Sequence, residues 1–237
     1  TFNIKDEDGG GNGTVDLANV TGVNTVAMRT DQGLTFNNVA SGIVFQAGVT
    51  SEGNTQFGGV GNGVDGSTIM VNQADASGTS DTQAIALAGT NNGLSTATFD
   101  VDDVETLTFD HVAEQGGSFE DHKISLAGTE NTDNDVTVEL TGGADGDDVT
   151  FADGGLVSTV TTVDASSLDS DLDVGASARA NTGAMTITGG DGGDTIAMEN
   201  AGDVLDGGSG TDTLEVDVNA VLGAIQVDLS ADDDTAG

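Results

Sequence analysis

The sequence predicts an all-β chain wound into an elongated solenoid. Three observations lead there: short Val-, Ile- and Thr-rich runs bounded by Gly, Asp and Asn, a near absence of helical periodicity, and a glycine–aspartate nonapeptide recurring near the C-terminal end. With 8 Phe and no Trp or Tyr, any core must come from Val, Leu, Ile, Ala and Thr, which suits thin, regular β layers. Sandwich-like segments are admitted in the N-terminal part.

The strands read in order as 15–20, 24–29, 34–37, 43–47, 68–72, 83–88, 96–101, 105–110, 123–127, 135–140, 148–151, 157–163, 171–174, 184–188, 195–198, 203–206, 212–218 and 224–229. Val136-Thr137-Val138-Glu139-Leu140 alternates as a half-buried strand does, and Met185-Thr186-Ile187-Thr188 is β-branched and similar. The best helical candidate is one short turn, Ala165 to Leu168. The leads Val23-Asn24-Thr25-Val26, Val104-Glu105-Thr106-Leu107 and Val160-Thr161-Thr162-Val163 suggest one unit used three times. Their spacings of 81 and 56 residues make it a degenerate repeat, and recurrence by composition alone is the competing reading. Three segments follow: an N-terminal β segment 1–66 ending in a Gly-rich joint at 48–66, a middle β segment 67–141, and a solenoid at 142–237. The sequence begins at Thr1 with no signal-peptide pattern, so the chain reads as part of something longer.

Charge narrows the function. There are 41 acidic residues against 4 basic ones, a formal net charge of -37, so self-repulsion opposes any compact state unless cations offset it. A nucleic-acid backbone and an anionic membrane surface would both be repelled, and the longest apolar stretches are far short of the ~18 residues a membrane span needs. Low hydrophobicity with high charge is also the pattern of disorder, against which the periodic β-branched runs argue. The absence of Cys removes disulfide, thiolate and Cys-nucleophile chemistry.

Gly189-Gly190-Asp191-Gly192-Gly193-Asp194-Thr195-Ile196-Ala197 matches G-G-x-G-x-D-x-U-x, with U a large aliphatic, at every fixed position. The frame continues through Met198 to Asp206, which keeps Asp203 and Leu205 but loses the glycines. It then matches fully again in Gly207-Gly208-Ser209-Gly210-Thr211-Asp212-Thr213-Leu214-Glu215. The glycines permit tight turns with uncovered carbonyls, the sixth-position Asp supplies carboxylate, and U is buried in the strand that follows. If one nonamer makes half a turn, the two intact loops stack on one side with Asp194 and Asp212 facing one calcium ion. Gly190, Gly192, Gly208 and Gly210 then line that site. The degenerate loop bearing Asp203 falls on the other side, where the preceding nonamer, Ala180 to Thr188, has no acid at its sixth position. One good calcium site is expected, not a ladder.

A weaker candidate is Gly142-Gly143-Ala144-Asp145-Gly146-Asp147-Asp148-Val149-Thr150, where Asp145 replaces a glycine and the spacing to Gly189 is not a multiple of nine. Asp145 and Asp147 serve equally well there as calcium ligands or as solvated turn residues. At the start, Asp6-Glu7-Asp8-Gly9-Gly10-Gly11-Asn12-Gly13-Thr14-Val15-Asp16 fails the EF-hand pattern and reads as a solvated turn.

These nonapeptides resemble the RTX family of calcium-dependent proteins exported by type I secretion. The surroundings, such as Asp103-Val104-Glu105-Thr106-Leu107-Thr108-Phe109 and Thr162-Val163-Asp164-Ala165-Ser166-Ser167-Leu168, look like the Thr-, Ala-, Gly- and Val-rich bodies of RTX-type bacterial surface-layer proteins. The resemblance implies a secreted, cell-surface protein that binds Ca2+ and associates with itself into a lattice or filament, with cell-surface polysaccharide as a further partner. The acidity departs from it, being stronger than such a protein usually shows.

An enzyme is not expected. There is no H-E-x-x-H and no G-x-S-x-G, and in a chain with 41 acids a carboxylate pair carries no information. His111 and His122, the only histidines, read better as two surface residues than as a metal pair, and Arg29 and Arg179 as local salt-bridge partners. The alternative functions are an RTX-type adhesin stalk or binding module, and the non-catalytic module of a secreted polysaccharide-active enzyme.

Overall fold

A chain whose apolar residues alternate over runs of four to nine residues, with turn-forming residues between, buries one face of every strand and solvates the other. The computed structural model describes residues 1–6, 11–30, 32–48, 67–75, 77–88, 96–113, 121–128, 135–180 and 183–216, with the side chains of Lys5 and Asp6 outside the description. Among them successive strands alternate between two parallel sheets. One holds β1 (Phe2–Asp6), β3 (Thr25–Thr30), β5 (Val44–Gly48), β7 (Thr82–Ala88), β9 (Thr106–His111), β11 (Val136–Gly142), β13 (Val160–Leu168), β15 (Thr186–Thr188) and β17 (Val204–Asp206). The other holds β2 (Gly13–Asp16), β4 (Leu34–Val39), β6 (Thr68–Gln73), β8 (Thr96–Val101), β10 (His122–Ala127), β12 (Asp148–Phe151), β14 (Asp171–Val174), β16 (Thr195–Met198) and β18 (Thr213–Val216). Each coil is one odd and one even strand. The expected all-β solenoid is therefore the observed fold, and the N-terminal strands pair in parallel like the rest.

Register builds the core as columns. In the odd sheet Val26, Phe45, Ile85, Phe109 and Leu140 are successive partners, as are Leu107, Val138, Val163, Ile187 and Leu205. In the even sheet Leu34, Ile69, Phe99 and Leu126 line up in the same way. The columns meet between the sheets, where Phe36 packs on Phe45 with centroids 4.7 Å apart and Phe99 on Phe109 at 5.4 Å. Few aromatics suffice because every coil adds a thin layer to the same core.

The three Thr/Val leads all enter odd-sheet strands, β3, β9 and β13, with Val26, Leu107 and Val163 buried at the same step. One expectation needs correction. Ala165 to Leu168 is not a helical turn but the end of β13, where Glu139 pairs with Asp164 and Thr141 with Ser167. The extra residue is a β-bulge, held by the Ser166 N–H on the Asp164 carboxylate at 2.9–3.0 Å as such bonds run, here 3.0 Å. The first strand, Phe2–Asp6, was not foreseen, nor was the 3-10 turn Ala176–Ala178. The expected strand 224–229, most of the Gly-rich joint and residues 7–10 of the turn read over Asp6–Asp16 lie outside the described residues, and the end of that turn, Gly13–Asp16, is β2.

Candidate metal centre

The turns leading from odd to even strands stack along one long edge. The Gly143 N–H donates to the His111 carbonyl at 2.8 Å, Asp169 to Gly142 at 2.6 Å, Asp191 to Leu168 at 2.9 Å and Ser209 to Gly190 at 2.8 Å. Coil length decides which turns can be alike. Ile187 partners Leu205, and the two U residues Ile196 and Leu214 partner each other. At this end alone each coil is two nonamers long, so the two intact nonapeptide loops superpose.

Asp194 and Asp212 are thereby brought together, and the Asp194 N–H donates to Asp212 Oδ1 at 2.9 Å across an 18-residue coil. Asp194 is fully buried. Its Oδ1 accepts the Leu172 N–H and its Oδ2 the Gly190 N–H, both at 2.7 Å. Burial pushes its carboxyl up to about 6; those two N–H groups pull it down, and the charges of Asp212 and Asp171 add to the rise. This carboxylate therefore has less positive potential around it than its ionised form requires. Asp171 is the member sequence reasoning missed: its Oδ1 accepts the Gly193 N–H at 2.7 Å. No nonapeptide frame reaches it, because the coil before Asp194 is longer.

The glycines are there for closeness. A methyl group on Gly190 would collide with the Leu168 carbonyl oxygen, and one on Gly192 would stand 2.5 Å from Asp171 Oδ1. Gly208 is backed against the Gly190 carbonyl, and Gly210, at φ +127, against the Gly192 carbonyl. Among the described residues, no three carboxylate or imidazole side chains converge closely enough to hold an ion by themselves. A cation at this edge would draw on glycine carbonyls together with the carboxylates, an all-oxygen set of the kind hard cations take.

The weaker loop lies on the same edge, between β11 and β12. Asp145 is exposed there, and Asp147 closes the turn, donating its N–H to Ala144 at 3.2 Å and accepting the Asp171 N–H on its carbonyl at 2.9 Å. The stacked neighbour that the sequence left unidentified is the Asp169–Ser170 turn, which carries no nonapeptide. Asp145 and Asp147 are not brought to Asp194: that turn intervenes.

Asp203 falls on the opposite edge, as the half-turn spacing requires, but it faces a built-in cation. Arg179 grips it with Nη1 to Oδ2 at 2.6 Å and Nη2 to Oδ1 at 3.1 Å, both side chains being buried. The N–H groups of Met185, Glu199 and Asn200 add bonds of 2.9, 3.0 and 2.9 Å. Burial raises this carboxyl, but the guanidinium and the amides outweigh it and hold Asp203 below the ordinary carboxylate range. Arg179 is thus the salt-bridge partner its isolation in an acidic chain suggested.

The histidines depart most from expectation. His111 and His122 are not surface residues: they are 1% and 5% exposed, ring against ring at 4.8 Å and 82°. Compared with protein-family models, with curated proteins and with solved structures, the chain matches none.

Proposed function

We propose that the chain is a structural, extracellular β-roll of the RTX type, stiffened by calcium held at Gly189–Asp194 and Gly207–Asp212, and that it assembles with itself into a cell-surface lattice or filament. The observation that carries the reading is the superposition of two intact nonapeptide turns, with the buried, under-compensated Asp194 beside Asp212. Gly190, Gly192, Gly208 and Gly210 offer carbonyls, Asp194 and Asp212 offer carboxylates, and an ion between them would supply the charge this edge lacks. Type I export and contact with surface polysaccharide belong to the same proposal. Among the described residues, nine coils at a strand spacing of about 4.8 Å make a stack roughly 40 Å long.

The test compares far-ultraviolet circular dichroism and light scattering in excess chelator with those in millimolar calcium. Calcium should raise β content or thermal midpoint, and then scattering. Identical traces in both would sink the calcium reading, and so would unchanged calcium binding in Asp194→Ala/Asp212→Ala. The uninterrupted run of both sheets from first strand to last also suits an adhesin stalk, which is the second reading. Electron microscopy with calcium separates the two: ordered sheets or filaments support the lattice, extended monomers the stalk.

A further inference from the structure

We propose that Arg179, acting through Asp203, is a positioning residue for the two nonapeptide turns: its guanidinium closes the opposite edge of the roll without metal and so fixes the register in which Gly189–Asp194 and Gly207–Asp212 superpose. Its bearing on metal binding rests on the reading of those turns as the calcium site.

The Arg179–Asp203 clasp and the nonapeptide turns lie at the two ends of the same short strands. Met185 comes one residue before β15 and Asp203 one residue before β17, while Gly189 and Gly207 come one residue after them. At the leading end the Met185 N–H donates to Asp203 Oδ1 at 2.9 Å, and the Val204 N–H to the Met185 carbonyl at 2.9 Å. Three residue pairs follow: Thr186 with Val204, Ile187 with Leu205 and Thr188 with Asp206. At the trailing end the Gly189 N–H donates to the Asp206 carbonyl at 2.8 Å, and a methyl on Gly189 would collide with the Gly207 carbonyl oxygen. Strands of three residues hold little register by themselves, so whatever fixes Asp203 against Met185 also sets Gly207 against Gly189.

Asp203 and Asp194 are held in matching ways. Each takes on Oδ2 the N–H four residues back, from Glu199 at 3.0 Å and from Gly190 at 2.7 Å. Each takes on Oδ1 an N–H of the preceding coil, from Met185 at 2.9 Å and from Leu172 at 2.7 Å. The difference is the cation. Arg179 Nη1 and Nη2 bond the two oxygens of Asp203, and Nη2 also donates to the Gly183 carbonyl at 3.0 Å. A carboxylate and a glycine carbonyl around a positive charge are the ingredients gathered on the other edge, where the charge has to come from solution.

Arg179 is fixed in its turn. It follows the 3-10 turn Ala176–Ala178, and its backbone is bridged in parallel to Leu156. The Leu156 N–H donates to the Ala178 carbonyl at 2.8 Å, and the Leu156 carbonyl accepts the Ala180 N–H at 2.9 Å. The side chains of the pair are 1% and 0% exposed, so salt screens the two-pronged bond little. A guanidinium also stays charged at every ordinary pH. This edge therefore closes with no ion present. The calcium-free roll is shut along the Asp203 edge from β15 to β17, while repulsion between Asp194 and Asp212 still opens the other edge. An arriving ion meets two turns already level with each other.

The experiment reads amide hydrogen exchange of the whole chain, residue by residue, by nuclear magnetic resonance in chelator and in calcium. In chelator the amides bound to Asp203, those of Met185, Glu199 and Asn200, should exchange about tenfold or more slowly than those of Leu172 and Gly190, which are bound to Asp194. Calcium at about 10 mM should slow Leu172 and Gly190 by roughly ten- to a hundredfold, as a site with an affinity of roughly 10⁻⁴–10⁻³ M would, and should change the Asp203 set far less. Equal exchange of the two sets in chelator overturns the clasp, whatever calcium then does. If the difference in chelator stands but calcium leaves Leu172 and Gly190 unchanged, the metal reading is lost and the clasp is kept. A second arm titrates Arg179→Met with calcium by calorimetry, under conditions where circular dichroism shows the variant folded. With the register no longer preset, apparent affinity should fall about tenfold, as when a tenth of the molecules are competent to bind. Native affinity in the folded variant overturns the positioning role. Should Arg179→Met not fold, the exchange pattern of the native protein decides alone.

Discussion

Asp194 and Asp203 occupy the same step of the nonapeptide on opposite edges and show two ways of burying a carboxylate. Asp203 has Arg179 and three backbone amides; Asp194 has two amides and carboxylate neighbours. Removing one member of a buried pair strands the other, so Arg179→Met should lower stability by about 3 kcal/mol, the low end for such pairs because the amides remain. Chemical denaturation checks this. At Asp194 the carboxyl value of about 6 lies above the unfolded value of 3.8. Without an ion, its contribution is fully present only below the unfolded value and is lost as pH rises through about 6. Calcium takes the ionised form, so the proton competes with it below about 6. Calcium affinity measured by calorimetry should fall by up to tenfold per pH unit between about 6 and 4, and an affinity level through that range would remove Asp194 from the site.

At the scale of elements, close approach of stacked turns is what the glycines secure. Gly210→Ala forces an L side chain to φ +127 and into the Gly192 carbonyl. Its cost should be about 2 kcal/mol or more, confined to the last coil. Hydrogen exchange should quicken at Thr213–Val216, which among the described residues pairs with β16 alone, while β11 to β14 stay protected. The bulge in β13 teaches the converse. Ala165 to Leu168 has a helical look in isolation, yet the ladder with β11 on one side and β15 on the other keeps it extended, and one surplus residue is absorbed locally.

For the whole molecule, the net charge of -37 and the site must be told apart. Sodium chloride screens the general repulsion, with a Debye length near 10 Å at about 0.1 M, whereas a site in the turns answers to calcium at roughly 10⁻⁴–10⁻³ M. Thermal midpoints should rise gradually with sodium and then rise again on adding millimolar calcium at fixed high salt. Absence of that second rise would reduce calcium to an interchangeable counterion.

Strand pattern was legible because burial of one face imposes a period of two on the residues themselves: nearly every described strand sits within a few residues of where alternation placed it. The nonapeptide pair was legible for the same reason, since equal spacing of identical turns is a property of the sequence alone. The tertiary structure decided what unequal coils bring together. Arg179 reaches Asp203 across 24 residues, Ser170 reaches His111 across 59, and Asp171 joins Asp194 through a coil with no repeat in it. Each of those partnerships depends on the number of residues looped out between strands, which no local pattern records, and on which edge of the roll each turn then falls.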